Sequence, residues 1–282
     1  VDLPIRKAIG YMLLSTASFA VMNAIIRGLN HLPALELVLF RSIGSAVIAT
    51  TFLVKQKIPI LGKLRGLLIL RAILGVCAMS LFFTSIKFLP LGIAVSLRYT
   101  APIFGVILAW FILGERIGKG QSAFLLLAFM GVLIIRGFNN DLNPLGLLII
   151  LIAAGFSGTV YIALRKIGTR EHPVVVVNYF MVLATITGGI ASLFNWVTPS
   201  GIIEITLLLL LGVVGYFGQL FMTKAFQIGQ TQQVAPFKYA EVVFGLISGM
   251  LIFGESYSLW SFVGMSLIII GLSCYALISR TS

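Results

Sequence analysis

Residues 98–115 read RYTAPIFGVILAWFILGE, and 140 positions later residues 238–255 read KYAEVVFGLISGMLIFGE. Arg98-Tyr99-Thr100 lies against Lys238-Tyr239-Ala240, Phe104-Gly105 against Phe244-Gly245, and Gly114-Glu115 against Gly254-Glu255. Apolar text matches itself easily, but charged and glycine positions recurring in order do not arise that way. The correspondence continues upstream, where Leu81-Phe82-Phe83-Thr84 matches Leu220-Phe221-Met222-Thr223 at a shift of 139, and residues 19–27 resemble residues 156–165. The chain is therefore read as two copies of one unit, residues 1–140 and 141–282.

The solvent for that unit is lipid. Of 282 residues, 59% are hydrophobic and 10% charged, with a mean hydropathy of +1.10; a soluble domain carries about 25% charged residues. A bilayer-spanning helix uses about 20 residues, and ten apolar segments can be drawn. In the first copy they run 9–29, 35–54, 67–88, 92–113 and 122–136. In the second they run 145–164, 174–196, 205–226, 234–253 and 259–278. None alternates apolar with polar residues as a membrane barrel strand must, so each is expected to be a helix that satisfies its own backbone. The expected fold is an all-α integral membrane protein.

Five spans per copy is an odd number, so the second copy enters the membrane in the opposite sense, as an inverted repeat. Lys and Arg accumulate on alternate sides: Arg6, Lys7, Lys55, Lys57, Lys63, Arg65, Arg116, Lys119, Arg165, Lys166, Arg170 and Arg280 on one, against Arg27, Lys87 and Arg136 on the other. Basic loops stay cytoplasmic, which places both termini in the cytoplasm and makes the net charge of +12 a consequence of topology. Nucleic acid is not an expected partner. Residues 1–7 do not resemble a cleavable signal, because the apolar run that follows is too long. Cys77 and Cys274 fall in apolar runs and read as packing residues.

Charges inside apolar runs are the candidate functional residues, because a charge at the membrane centre costs about 3 kcal/mol on an insertion scale. They are Arg41, Arg71, Arg98, Lys238 and Glu241. Lys238 and Glu241 are three apart and spaced for an ion pair within one helix. Arg71 is spaced to snorkel toward lipid headgroups, and Arg41 to tie helix two to a neighbour. Arg98, the repeat mate of Lys238, is expected near the midplane, where its guanidinium suits a carboxylate or phosphate. Tyr99, Tyr239, Asn23, Tyr161 and Gln219 are candidate polar contacts, with Phe19 and Phe83 available to stack on a planar group. His31 and His172 lack metal-ligand spacing, and no nucleophile elbow or phosphate loop is present. Neither a metal nor a cofactor is expected, nor an enzyme activity.

The chain resembles the drug/metabolite transporter superfamily, and within it the EamA family. The resemblance rests on Leu70-Arg71-Ala72, Leu89-Pro90-Leu91-Gly92-Ile93-Ala94, Tyr99-Thr100-Ala101-Pro102-Ile103-Phe104 and Gly114-Glu115-Arg116, repeated as Val234-Ala235-Pro236-Phe237-Lys238-Tyr239 and Phe253-Gly254-Glu255. It implies ten helices in a 5+5 inverted arrangement, a cavity lined mainly by helices 1, 3, 4, 6, 8 and 9, and alternating access in the inner membrane by a monomer or homodimer. Glu115 and Glu255 become helix termini without a transport role. The expected activity is secondary transport of a small polar organic metabolite, an organic anion or zwitterion such as an amino acid, by rocking of two five-helix bundles. A riboflavin-like cofactor carrier is the alternative in the same class. A channel or a membrane-embedded enzyme is the alternative from another.

Overall fold

A computed structural model describes residues 3–101, 104–105, 108, 111, 119–137, 142–228, 237 and 240–278. Its regular elements are all helical: α1 (Leu3–Gly28), α2 (Ala34–Lys55), α3 (Arg65–Ser85), α4 (Leu91–Arg98), α5 (Lys119–Gly137), α6 (Pro144–Ile167), α7 (Pro173–Ser192), α8 (Gly201–Ile228), α9 (Ala240–Phe253) and α10 (Leu259–Ile278). Among the described residues five helical stretches are long and apolar enough to cross a membrane, Arg6–Gly28, Ala34–Lys55, Arg65–Ser85, Pro173–Ser192 and Gly201–Met222. At about 1.5 Å rise per residue each covers the roughly 30 Å hydrocarbon thickness. Their outward faces carry bare Leu, Ile, Val and Phe side chains, such as Val47, Ile186 and Leu209, which lipid accepts and water would not.

The helices pair across the two copies. The most extensive contacts join α1 to α8, α2 to α7, α3 to α6 and α5 to α10, with α4 on α9. Exchanging each helix n for n+5 leaves this set unchanged, since α1 on α8 becomes α6 on α3 and the other pairs map onto themselves. That is the packing of two five-helix repeats about a pseudo-two-fold axis. Every one of these contacts crosses the point near residue 140 where the copies join, so the repeats interlock.

Small residues set how closely the pairs approach, because helices in lipid associate through backbone proximity rather than through hydrophobic exclusion. A Cβ on Gly131 of α5 would lie 2.5 Å from the carbonyl oxygen of Gly264 on α10, and one on Gly271 of α10 would lie 2.7 Å from the Phe124 carbonyl and the Ala128 nitrogen on α5. These two glycines are 140 residues apart, and the two contacts are copies of each other. Gly44 and Gly212 face one another across α2 and α8 in the same way, each added Cβ meeting the other's Cα at 3.0 Å. Interhelical hydrogen bonds reinforce the contacts, with Ser15 Oγ donating to the Gly218 carbonyl at 2.7 Å and Ser45 Oγ to the Gly212 carbonyl at 3.0 Å. The small-residue spacing at Gly245 and Gly249 also serves packing. Gly245 faces Gly92 and Val95 of α4, and Gly249 leaves room for Tyr257 and Glu255.

Carboxylates clasp the loops at both ends. Where α1 ends, Glu255 pairs with Arg27 at 2.8 Å and caps the start of α4 by accepting from the Leu91 N–H at 2.9 Å. It also accepts from the Tyr257 hydroxyl at 2.5 Å. Burial and the adjacent Glu255 carboxylate push the Tyr257 phenol well above its ordinary range, so it remains a donor. Glu36 at the start of α2 accepts from Val197 N–H in the α7–α8 loop, while at the opposite end Glu171, just before α7, accepts from Lys63 and Leu64 N–H in the α2–α3 loop. Each repeat thus sends a carboxylate to the loop of the other.

One of the expected spans is interrupted. Within 92–113, α4 ends at Arg98 and the chain turns at Tyr99 and Thr100, with N–H bonds to the Ser96 and Leu97 carbonyls three residues back, and the described residues from Ala101 on, among them 104–105, 108 and 111, are helical again. Within 234–253 the described helix begins at Ala240, the mate of Thr100, and residues 234–236, 238 and 239 lie outside the described residues. The fifth segment is longer than read, 119–137.

Packing of this kind makes a direct prediction. Gly131→Ala and Gly271→Ala should each destabilise by about 1–3 kcal/mol, because the neighbour is backbone that cannot turn aside. Gly10→Ala, with nothing within 4 Å of its Cβ, should be neutral or stabilising by up to about 1 kcal/mol through helix propensity. Thermal unfolding in detergent measures all three.

Candidate functional site

The C-terminal end of α4 meets the first turn of α9, which decides the chemistry between them. Arg98 closes α4 and Glu241 lies in the first turn of α9. A cation at a helix C-terminus and an anion at an N-terminus are each favoured by the helix dipole, and here they also meet. Glu241 is fully buried. Its Oε1 accepts from Arg98 Nη2 in an ion pair and from Asn23 Nδ2 at 2.8 Å, and its Oε2 accepts from the Tyr99 hydroxyl at 2.5 Å. One carboxylate therefore ties α1, α4 and α9 together. Hydrogen bonds to a charged group contribute about 1.5–3 kcal/mol each, against a several-kilocalorie cost of taking such an ion from water. Glu241 had been expected to pair with Lys238. Arg98, Asn23 and Tyr99 are its partners among the described residues, and Lys238 lies outside them, as does Tyr239.

Beside this clasp is a cavity of about 160 Å³, the size of a site that holds a benzene-sized molecule. Phe19 and Met22 of α1 contribute to its wall, as do Gly75, Met79, Phe82 and Phe83 of α3. Ser157 of α6, Phe180 of α7 and Gln219 and Met222 of α8 complete much of the rest. Three arginines reach it: Arg41, Arg71 and Arg98. The Arg98 guanidinium lies 4.0 Å above the Phe82 ring centre, in cation–π range.

Arg41 and Arg71 both turn toward the cavity. Arg71 does not snorkel to the headgroups. It is 5% exposed, lines the cavity and stands 4.5 Å over the Phe180 ring, and its Nε and Nη1 have no hydrogen-bond partner among the described residues. Arg41 does touch neighbouring helices, but weakly, donating to the thioether sulfurs of Met22 at 3.2 Å and of Met79. Its guanidinium lies 5.8 Å from the Phe180 ring centre and 6.0 Å from that of Phe83. Among the described residues neither arginine has a carboxylate partner. Room for them is made by glycine: Gly215 of α8 lies against the Arg41 side chain, and its mate Gly75 lies against Phe180.

Of the residues singled out from sequence, Arg98, Tyr99, Arg71, Phe19, Phe83 and Gln219 line the cavity, and Asn23 and Glu241 form the clasp at its edge. Tyr161 belongs to α6, with its side chain outside the described residues. The expected lining by helices 1, 3, 4, 6, 8 and 9 omits α2 and α7, which supply Arg41 and Phe180. Phe180, Met79, Phe82 and Met22 were missed as wall residues. A signal for Phe180 existed, because the 139-residue shift that aligns Phe82 with Phe221 also sets Phe180 against Arg41. His172 caps α7 by accepting from the Val174 N–H, and His31 pairs with Glu204. Among the described residues no group of His, Cys, Asp and Glu is arranged to hold a metal.

Comparison with known proteins agrees with this architecture. The model of the EamA-like transporter family matches residues 6–137 and again 144–277. The pseudopaline exporter CntI of Pseudomonas aeruginosa is 30% identical over 98% of this chain and 97% of its own. Human solute carrier family 35 member G1 is 28% identical over 96% of this chain and 78% of its own, and the S-adenosylmethionine uptake transporter of Rickettsia prowazekii is 28% identical over 88% and 85%. One solved crystal structure superposes with a TM-score of 0.68 at 19% identity, covering 99% of this chain and 97% of that one. These relatives are named as an exporter, a solute carrier and an uptake transporter. The chain belongs to the EamA-like transporter family of multi-pass membrane proteins.

Proposed function

We propose that this protein is a secondary transporter that moves a small polar organic metabolite, an organic anion or zwitterion, across the cytoplasmic membrane by alternating access. The observation that carries the reading is the cavity beside the Arg98–Glu241 clasp, lined from both repeats where α4 breaks at Tyr99 and Thr100 opposite the first turn of α9. Interrupted helices meeting at a midplane site are a recurrent device of secondary transporters. Two relatives carry names that specify pseudopaline and S-adenosylmethionine, both small and polar, one as an exporter and one for uptake.

The clasp explains how a substrate could be held and released. A carboxylate on the substrate competes with Glu241 for Arg98, and an ammonium competes with Arg98 for Glu241. Either contact loosens the tie between α1, α4 and α9. At the end where α1 finishes, the Arg27–Glu255 pair and the cap on α4 hold the bundle together, so exposure of the cavity there requires these contacts to part. Because the largest helix contacts cross between the repeats, the bodies that rock must each take helices from both, rather than being residues 1–140 against 141–282. Glu241 already has a counter-ion in Arg98 and needs no proton to be neutralised, which favours exchange or facilitated diffusion over proton coupling.

Two outcomes follow. Removing one member of a buried pair costs about 3–5 kcal/mol because the other charge is stranded, so Arg98→Gln and Glu241→Gln should each lower the unfolding temperature more than the double variant does. In proteoliposomes, counterflow of a labelled organic acid or amino acid should be saturable, and should fall at least roughly tenfold in Arg98→Gln and in the double variant, as loss of a charge-assisted contact implies. Counterflow at the unaltered rate in the folded double variant would remove the clasp from the transport path, and non-saturable flux would indicate a channel.

A further inference from the structure

Arg41 and Arg71 pose a problem that the fold does not solve. Each is at least nine-tenths buried in a membrane bundle, and neither makes an ion pair among the described residues. Among the described residues Arg71 leaves two nitrogens with no acceptor, and Arg41 gives protons to thioether sulfurs, which are weak acceptors. Burying a cation in this way is costly.

Packing does not require these charges. The paired contacts of Gly75 with Phe180 and of Gly215 with Arg41 set α3 on α8 at a shift of 140 and α2 on α7 at 139, so the mate of Arg41 is Phe180 and the mate of Arg71 is Leu211. Both mates are buried and apolar, so equivalent places in the same fold are filled by uncharged side chains. Both arginines also border the cavity, and both approach one ring, that of Phe180, at 5.8 and 4.5 Å. The third arginine, Arg98, is neutralised by Glu241. Among the described residues the cavity wall therefore has an excess of two positive charges.

We propose that Arg41 and Arg71 form a two-cation subsite for a doubly charged organic anion, whose oxyanion groups they bind while Phe180 lies beneath both guanidinium groups. The inference rests on the transport reading above and names its substrate class. The shared chemistry is that of a dicarboxylate or of a phosphomonoester. Arg suits both, since its planar fork donates two parallel hydrogen bonds to either group. The cavity admits a body the size of one small ring, and Phe82, Phe83 and Phe180 around it favour a flat one. Binding supplies the acceptors that Arg71 lacks, so the substrate removes a cost that the empty protein bears.

Thermal unfolding of the purified full chain tests this, using sodium salts of phthalate, succinate and phenyl phosphate against benzoate and zwitterionic phenylalanine, with matched ionic strength. Ligand-linked stabilisation requires no knowledge of transport direction. A dianion should raise the unfolding temperature at concentrations at least roughly tenfold below those needed by the monoanion or the zwitterion. The phosphate and carboxylate arms tell which oxyanion is used. Arg41→Gln and Arg71→Gln should abolish that preference without lowering the unfolding temperature of the unliganded protein. Equal stabilisation by monoanions, no stabilisation by any dianion, or a preference that survives in both arginine variants would overturn the proposal. Counterflow of a different class of solute that persists in Arg71→Gln would overturn the dianion subsite and leave the transport reading standing. Intact dianion binding with no counterflow of any solute would do the reverse.

Discussion

A carboxylate enclosed in a membrane bundle has to be met by donors, and Glu241 is met by three, from Arg98, Tyr99 and Asn23. Most of the central architecture can be traced to that requirement. It brings the C-terminal end of α4 against the N-terminal turn of α9, draws α1 to both, and sets the Arg98 guanidinium over Phe82 at the edge of the cavity. The helix dipoles act in the same direction, since each places its favoured partial charge where the opposite side chain sits. A tie of this kind is strong only while both charges are present, because removal of either leaves the other stranded in a medium that does not solvate it. It is therefore suited to hold a site closed and to yield to a ligand that brings its own charge.

Around the clasp, the repeat supplies a frame that is the same from either end. Glycines at equivalent positions let α5 and α10 touch backbone to backbone, and each repeat clasps a loop of the other with a carboxylate. The frame is symmetric, but the charges are not: Arg41 and Arg71 face mates that are Phe180 and Leu211. Under the alternating access proposed above, such symmetry lets the two halves exchange roles as the cavity changes sides. The asymmetry would then give the cavity its chemical preference.

The sequence displayed the frame because lipid imposes a strong rule on composition. A chain with so few charges and so many long apolar runs has no soluble solution, and the repeat at 98–115 and 238–255 exposes its duplication directly. Arg98, Tyr99, Asn23 and Glu241 were legible as a group because polar residues inside such runs stand out. Their connections were not. Lys238, three residues from Glu241 and spaced to pair with it, lies outside the described residues, whereas Arg98, far away in the chain, reaches Glu241 from the end of α4. Whether Arg71 snorkels or turns inward was open for a related reason, since spacing along one helix cannot tell the two apart. Phe180 is one of 21 phenylalanines, and only its place opposite Arg41 in the repeat distinguishes it.

Access to the cavity from both sides of the membrane is the claim on which the functional account turns. It can be measured by placing a cysteine at Ser157 or Ala78, both in the cavity wall, in protein whose Cys77 and Cys274 have been replaced by serine. A membrane-impermeant thiol reagent is then applied to right-side-out and to inside-out vesicles. The account predicts labelling from either face, slowed in both cases by a transported solute. Labelling confined to one face, unaffected by any solute, would contradict it.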